Sequence, residues 1–342
     1  MRKHLLLLLL LLSSVWTAAS AQIDWNWQPD ILGDGYEMRH VKQEYTFSGP
    51  AISTIIRKTH PTDSTEAKIT RGVLYIHGFN DYFFQAEMGD RFVEHGYDFY
   101  AVDLRRYGRS LLPGQKPFDV RDLSHYFPDI DSALVAMKQA GIKEVILMGH
   151  STGGLIASYF ESRQHPAIIK ALILNSPFLD WNLGWKERII PAVTLLGRIV
   201  PDMKITQGES TAYGESLLKG AHGEWTFDTR WKMPRSPDVT AGWVRAISLA
   251  QHDLRDGKAD IRVPILLLYS SRSVNCSEWT PEFQRADAVL DVNDIKKYGM
   301  ELGPHVTCVK VMNGMHDLVL SAPTVREPLY RFIFQWLEKQ KL

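Results

Sequence analysis

Cysteine is scarce in this chain: Cys276 and Cys308 are the only two in 342 residues. Two thiols cannot make a disulfide framework, and neither stands in a C-x-x-C or Cys/His spacing of the kind that binds structural zinc. Whether they pair with each other is open, since that depends on their Cα separation. A surplus of one charge is also missing. Lys plus Arg number 39 and Asp plus Glu 39, so the basic footprint that a nucleic-acid partner requires is absent. No internal repeat or low-complexity tract occurs. No long apolar run follows the N-terminal one, so no membrane span is expected in the rest of the chain.

The N-terminus reads as a leader rather than as fold. Arg2 and Lys3 precede an unbroken apolar run from Leu5 to Leu12, and Ala19-Ser20-Ala21 is a small-x-small cleavage site. The expectation is a signal peptide over residues 1–21, with Gln22 as the mature N-terminus. The run is short for a bilayer span; an uncleaved anchor is the alternative. No cysteine follows the site, which argues against a lipoprotein. The product is expected to be exported, either periplasmic or secreted, and the short leader favours a bacterial signal over a eukaryotic one. Roughly 320 residues remain, enough for one α/β domain with an insertion or for two small domains.

Apolar runs and helical patterns alternate along the mature chain. Val41–Phe47 and Ile52–Thr59 read as an antiparallel pair at a sheet edge. Strands are expected at 72–76, 98–102, 145–148, 171–175, 263–269 and 306–311. Helices are expected near 85–95, 130–140, after Ser151, and at 326–341. Continuous rather than alternating apolar strands mean a mostly parallel sheet covered by helices on both faces. The expected core is therefore 22–180 together with 261–342. The stretch 181–260 breaks the rhythm with Trp181, Trp185, Trp225, Trp231 and Trp243 and four prolines. It reads as a helical cap over the strand ends, where ligands bind in open α/β sheets. Each tryptophan is either cap core or a wall for a lipophilic substrate.

The most informative stretch is Gly149-His150-Ser151-Thr152-Gly153-Gly154. It joins the apolar run Val145–Met148 to a helix that starts at Leu155 or just before. Gly-x-Ser-x-Gly in a strand-to-helix turn is the pattern of a nucleophile elbow. The turn holds serine in a strained conformation, and residues two places away must lack side chains that would collide across it. The helix N-terminus also offers free N–H groups to a developing oxyanion.

A serine nucleophile needs a base, and the base needs an orienting acid. Among 12 histidines, His316 follows the last strand in a loop over the strand ends, whereas His305 precedes that strand at the opposite edge. His316 is the expected base. Three carboxylates remain as the acid. Asp287 lies in the loop before a helix that begins near Asn293 and is preferred. Asp291 reads equally as that helix's N-cap. Asp180, after the strand ending at Asn175, reads also as a tether for the cap. The oxyanion hole is expected from the N–H groups of Thr152 and Phe79. His77 and His150 are read as structural or supporting, and Asp103 with Arg106–Ser110 as a loop brace.

Together these residues resemble the α/β-hydrolase superfamily, and within it the monoacylglycerol lipase and lysophospholipase-like (serine aminopeptidase S33-like) branch. The resemblance runs from about Ile55 to Leu337. It is carried by Leu74–Phe79, Ala101–Asp103 with Tyr107–Ser110, Gly149–Gly154, Asp287–Asp291 and His316–Leu318. It implies nucleophile Ser151, base His316 and oxyanion donors Phe79 and Thr152. The branch's usual Gly-x-x-Asp is replaced by Ser270–Ser273, and Asp287-Ala288-Val289 stands in its place after an insertion. The implied reaction is acyl transfer to water through an acyl-enzyme, with no metal or organic cofactor, on small carboxylic esters, with lipophilic acyl esters such as monoacylglycerols or lysophospholipids expected. The alternatives are an exported peptidase or amidase with the same triad, and a catalytically silent hydrolase fold that only binds.

Overall fold

The structure is a computed structural model that describes residues 25–60 and 69–342; the expected signal segment 1–21 lies outside the described residues. Nine strands among these form one sheet. Its order is β1 (Gln28–Pro29), β2 (Glu37–Thr46), β3 (Gly49–Lys58), β5 (Asp98–Asp103), β4 (Arg71–Ile76), β6 (Glu144–His150), β7 (Ile169–Asn175), β10 (Ile265–Ser270) and β11 (Val306–Val311). Pairings from β1 through β3 to β5 are antiparallel. Every pairing from β5 to β11 is parallel. The expected edge pair is the β2–β3 hairpin, with the short β1 outside it.

The α-helices among the described residues are α1 (Ala86–Glu94), α2 (Phe127–Ala140), α3 (Thr152–Gln164), α4 (Ile190–Ile199), α5 (Ala212–Leu217), α6 (Ala241–Leu254), α7 (Val292–Gly299) and α8 (Pro323–Lys339). Strand residues alternate between the sheet's faces, and the two faces are covered by different helices. Leu74, Ile76, Leu147 and Leu174 pack with α2, α3 and α6. Val73, Tyr75, Met148 and Ile173 pack with α1 and α8. Burial on both faces is why these strands read as continuous apolar runs. Helix α8 buries Leu329, Tyr330, Ile333, Phe334, Trp336 and Leu337. Truncating one such residue, Ile333→Ala, costs ~2–5 kcal/mol.

Within the stretch expected to form the cap, a 3-10 turn over Gly184–Ile189 leads into α4. Then come β8 (Lys204–Ile205) and β9 (Val239–Thr240), which pair with each other outside the main sheet. Thr240 caps α6, its hydroxyl accepting from Trp243 N–H at 3.1 Å. Val244, Ile247, Ala250 and Leu254 of α6 belong to the same buried cluster as the sheet. This last helix of the stretch thus packs as a core layer. Helix α4 rests on it at Gly197, where a Cβ would meet the Ala241 carbonyl oxygen at 2.2 Å.

Both cysteines are free thiols. Cys276 lies in the exposed loop after β10, and Cys308 stands within β11 beside Leu267. The disulfide left open by the sequence is not formed.

Candidate active site

Ser151 stands between β6 and α3 with φ 52° and ψ −118°. A left-handed φ on a serine is strained by about 1–3 kcal/mol, and such strain persists only where the surroundings enforce it. Here they do. A Cβ on Gly149 would meet the Gly153 carbonyl oxygen at 2.4 Å, and one on Gly153 would meet the Ile76 carbonyl oxygen at 2.3 Å. Gly153 is thus the residue that lets the helix approach the sheet. Gly154 packs closely as well, a Cβ there lying 2.9 Å from the Pro177 ring and 3.3 Å from the Gly149 carbonyl oxygen. The Ser151 N–H donates to the Asn175 carbonyl at 3.0 Å, tying the turn to the end of β7.

His316 and Asp287 meet in a buried pair, His316 Nδ1 donating to Asp287 Oδ2 at 2.9 Å. The second oxygen of Asp287 accepts from the N–H groups of Val289 at 2.9 Å and Leu290 at 2.8 Å. Both carboxylate oxygens are therefore used, which fixes the carboxylate plane and leaves the far nitrogen of His316 free. The insertion after β10 explains how Asp287 reaches this place. Asp287 N–H donates to the Arg272 carbonyl at 2.9 Å, and Val274 N–H donates to the Asp287 carbonyl at 2.8 Å. These bonds close the loop between them, so Asp287 stands beside the strand end despite its distance in sequence.

The other two candidate acids lie elsewhere. Asp291 is the N-cap of α7, accepting from Asn293 N–H at 2.8 Å. Asp180 pairs with Arg255, just past the end of α6. His77 accepts from Leu104 N–H at 3.1 Å, and His305 is exposed at the start of β11. Arg109 is buried between Asp30 and Asp103, at 2.6 Å and 2.9 Å, and fixes the loop after β5 to the N-terminal segment.

Ser151, Thr152, Phe79 and His316 all line one cavity of about 520 Å³. Thr152 opens α3, where the first N–H groups have no acceptor within the helix. Phe79 follows β4, its ring packed on Trp243 at 4.8 Å and Phe118 at 5.1 Å. The next residue, Asn80, has φ 50° and a side chain latched to Met233: its Nδ2 donates to the carbonyl at 2.8 Å, and its Oδ1 accepts from the N–H at 3.0 Å. The loop carrying the Phe79 N–H is thus held to the segment ahead of α6.

The cavity has a polar wall that sequence reasoning missed. Lys232 Nζ pairs with Asp81 Oδ1 at 3.0 Å, both buried. His150 and Asp317 complete a cluster with Asp81, their ligating atoms within 4.8 Å of one another, and Lys232 offsets one of its two carboxylates. Burial lowers the pKa of His150 and favours the neutral ring, whose Nδ1 donates to the Asn175 carbonyl at 3.2 Å. Tyr213 lies edge-on to His316 at 5.8 Å, its hydroxyl buried beside Asp317. Asn175 joins the loops of Ser151 and His316, its amide donating to Asp317 at 2.7 Å and its Oδ1 accepting from Leu318 N–H at 3.2 Å. A polar residue ending an otherwise apolar strand was the available signal for Asn175. Lys232 and Asp81, 151 residues apart, had none.

Residues 67–278 match the model of the serine aminopeptidase S33 family. The chain belongs to that family. A probable lysophospholipase L2 of Haemophilus influenzae is 25% identical over 275 residues, covering 75% of this chain and 79% of the relative. Among solved structures, a soluble variant of monoglyceride lipase from Saccharomyces cerevisiae, in complex with a substrate analog, aligns with a TM-score of 0.64 at 18% identity, over 88% of this chain and 94% of that one. A monoacylglycerol lipase from Paleococcus ferrophilus aligns with a TM-score of 0.59 at 17% identity, over 89% and 99%. These two likenesses carry the α/β-hydrolase fold. By family the chain is a serine hydrolase, and it is similar to a lysophospholipase and to monoacylglycerol lipases.

Proposed function

We propose that this chain is an exported hydrolase of lipophilic carboxylic esters, such as monoacylglycerols or lysophospholipids, working through an acyl-enzyme on Ser151. In this reading His316 takes the Ser151 proton as the hydroxyl attacks the ester carbonyl. Asp287 holds the imidazole tautomer and stabilises the imidazolium. The N–H groups of Phe79 and Thr152 receive the oxyanion. His316 returns the proton to the leaving alcohol, and water then cleaves the acyl-enzyme. The observation that carries the reading is the buried His316–Asp287 pair at 2.9 Å beside Ser151, in a cavity walled by Phe178, Trp181, Val193 and Trp243. An apolar wall next to the nucleophile suits an acyl chain. Export rests on the leader at residues 1–21.

A second reading, cleavage of amides at a free amino terminus, draws on Asp81, an acid inside the cavity. Lys232 already neutralises Asp81, which leaves that carboxylate poorly placed to bind an ammonium group. Rates on p-nitrophenyl esters from acetate to long acyl chains, set beside aminoacyl anilides, test both. Rising kcat/KM with chain length and negligible anilide turnover are expected. Preference for anilides would overturn the ester reading.

A further inference from the structure

Asp287 and His316 arrive on two separate loops, one the insertion after β10 and the other the turn after β11. At their bases the loops are joined by Ser270, whose hydroxyl donates to the Gly314 carbonyl at 2.6 Å. Beyond that point the sheet no longer holds them. A bond of 2.9 Å between the two side chains nevertheless demands that both loops stay in register.

A piece of the cap touches both loops. After α5 the chain doubles back over residues 218–225. Trp225 N–H donates to the Leu217 carbonyl at 2.9 Å, Lys219 N–H to the Trp225 carbonyl at 2.7 Å, and His222 N–H to the Glu215 carbonyl at 3.0 Å. Gly223 has no room for a side chain, since a Cβ there would meet the Leu217 carbonyl oxygen at 2.1 Å. This tight unit presents a different residue to each neighbour. Toward the acid, the His222 ring lies on the Trp279 ring at 3.6 Å, the planes 13° apart, and the His222 carbonyl accepts from Gln284 Nε2. Ser210, just ahead of α5, adds a bond from its hydroxyl to the Ser277 carbonyl at 2.8 Å. Ser277, Trp279 and Gln284 all belong to the insertion that leads to Asp287. Toward the base, Trp225 Nε1 donates to the Leu320 carbonyl at 2.8 Å, in the turn that follows His316. Glu224 pairs with Arg326 of α8, which itself donates to the Ser321 carbonyl at 2.8 Å. His222, Trp225 and Trp279 do not line the cavity, so they do not act by touching substrate.

We propose that the cap loop 218–225 is a brace that holds the acid and the base of the triad in register, with His222, Trp279 and Trp225 as positioning residues. It acts through Asp287 and His316, and so rests on the triad read above. Cap and triad are then one mechanical unit. Displacing the loop loosens the His316–Asp287 bond, whereas the Ser151 turn, fixed by Gly149 and Gly153 against the sheet, stays in place.

The test loosens the brace on each side: His222→Ala and Trp279→Ala toward the acid, Trp225→Phe toward the base. The last keeps a ring and loses the N–H. Each should lower kcat by about fivefold, the worth of one ring stack or one hydrogen bond, and by the same factor on p-nitrophenyl acetate and on a long-chain ester. A purely structural role would lower the thermal midpoint and nothing else. A positioning role also moves the acidic limb of the kcat/KM profile to lower pH, because the imidazolium loses part of its carboxylate partner. The titration of the His316 ring, followed by NMR, should move with it. Trp279→Phe, which keeps an aromatic face for His222, should restore both. Variants that leave the limb and the ring titration where the parent has them would overturn the proposal, whatever their stability. The ring titration needs no substrate, so the two readings fail separately. A protein that turns over no ester yet shows the shift defeats the ester reading alone, and an active one without the shift defeats the brace alone.

Discussion

At the strand ends, atoms are placed with no room to spare; in the segment from Leu183 to Val200, large side chains point into open space. Gly153 could not carry a Cβ without meeting the Ile76 carbonyl at 2.3 Å, and both oxygens of Asp287 are committed to donors. By contrast Trp185 and Ile199 are 76% and 70% exposed. The first region has the rigidity that proton transfer over a fixed distance demands. The second leaves large apolar side chains in solvent. The same cavity touches both, so positioning and access are divided between two parts of the molecule, and substitutions in each should fail in different ways.

The largest expected effect lies at the rigid end. Ser151→Ala should lower ester turnover by about four to six orders of magnitude while leaving the circular dichroism spectrum unchanged. Covalent labelling by a fluorophosphonate should vanish with it. Near-normal turnover in this variant would remove the serine-hydrolase mechanism.

Asp287→Asn comes next. An amide in that place can donate to Nδ1 and so favours the wrong tautomer of His316, and a loss of roughly four orders of magnitude in kcat is expected. Asp291→Asn should cost about 1 kcal/mol of stability or less and leave kcat alone, because Asp291 caps α7. Asp180→Asn should loosen the tie to Arg255 with a modest effect on rate. Were Asp180→Asn or Asp291→Asn the crippling change, the triad as read from the His316–Asp287 pair would be wrong.

How much of this could be read in advance follows from what each feature leaves in a sequence. The sheet was legible because burial on both faces writes runs such as Val145–Met148. The elbow was legible because steric exclusion around Ser151 forces glycine at Gly149 and Gly153. Asp287 was legible once a helix start was placed after it, since Asp291 then had a capping role of its own. The polar wall was not legible. Asp81, Lys232 and Tyr213 are single residues in irregular segments, where no period marks them, and the Asp81–Lys232 pair is joined only by the fold. Tryptophan content suggested a lipophilic cap but not which rings face the ligand. Trp181 and Trp243 line the cavity, Trp225 donates to the Leu320 carbonyl at 2.8 Å, and Trp231 packs on Tyr82 at 5.1 Å.

A smaller effect, in stability rather than rate, should come from the helix that Ser151 begins. Glu161 in α3 is 2% exposed, one of its carboxylate oxygens has no partner among the described residues, and burial raises its pKa from 4.5 to about 7. The folded chain thus keeps a proton that the unfolded chain releases between these values. Stability is full below the unfolded pKa and falls as pH rises through the folded one, by on the order of 3 kcal/mol. Glu161→Gln should remove this slope. Urea midpoints at pH 5 and pH 8 measure it, and an equal drop in the variant and the parent would assign the pH dependence to other groups.

The smallest effect sharpens the boundary between the two regions. Trp181 is half-buried, lines the cavity, and touches Phe178 at 5.1 Å and Trp243 at 6.0 Å. Trp181→Ala should remove apolar wall from an acyl chain without disturbing Ser151, His316 or Asp287. Losing part of one aromatic contact is worth about 1 kcal/mol, so kcat/KM for a long-chain p-nitrophenyl ester should fall roughly fivefold relative to the acetate. Trp225→Ala should instead lower the thermal midpoint and reduce all esters alike, because its indole N–H is spent on Leu320 rather than on the cavity. Trp185→Ser should change neither ratio in detergent-free solution, since its ring lies outside the cavity and faces solvent. If Trp181→Ala and Trp225→Ala give the same profile, a uniform loss that tracks stability, then Trp181 is packing rather than substrate wall. The acyl chain would then have to be sought along Val193 and Ile190, on the cavity side of α4.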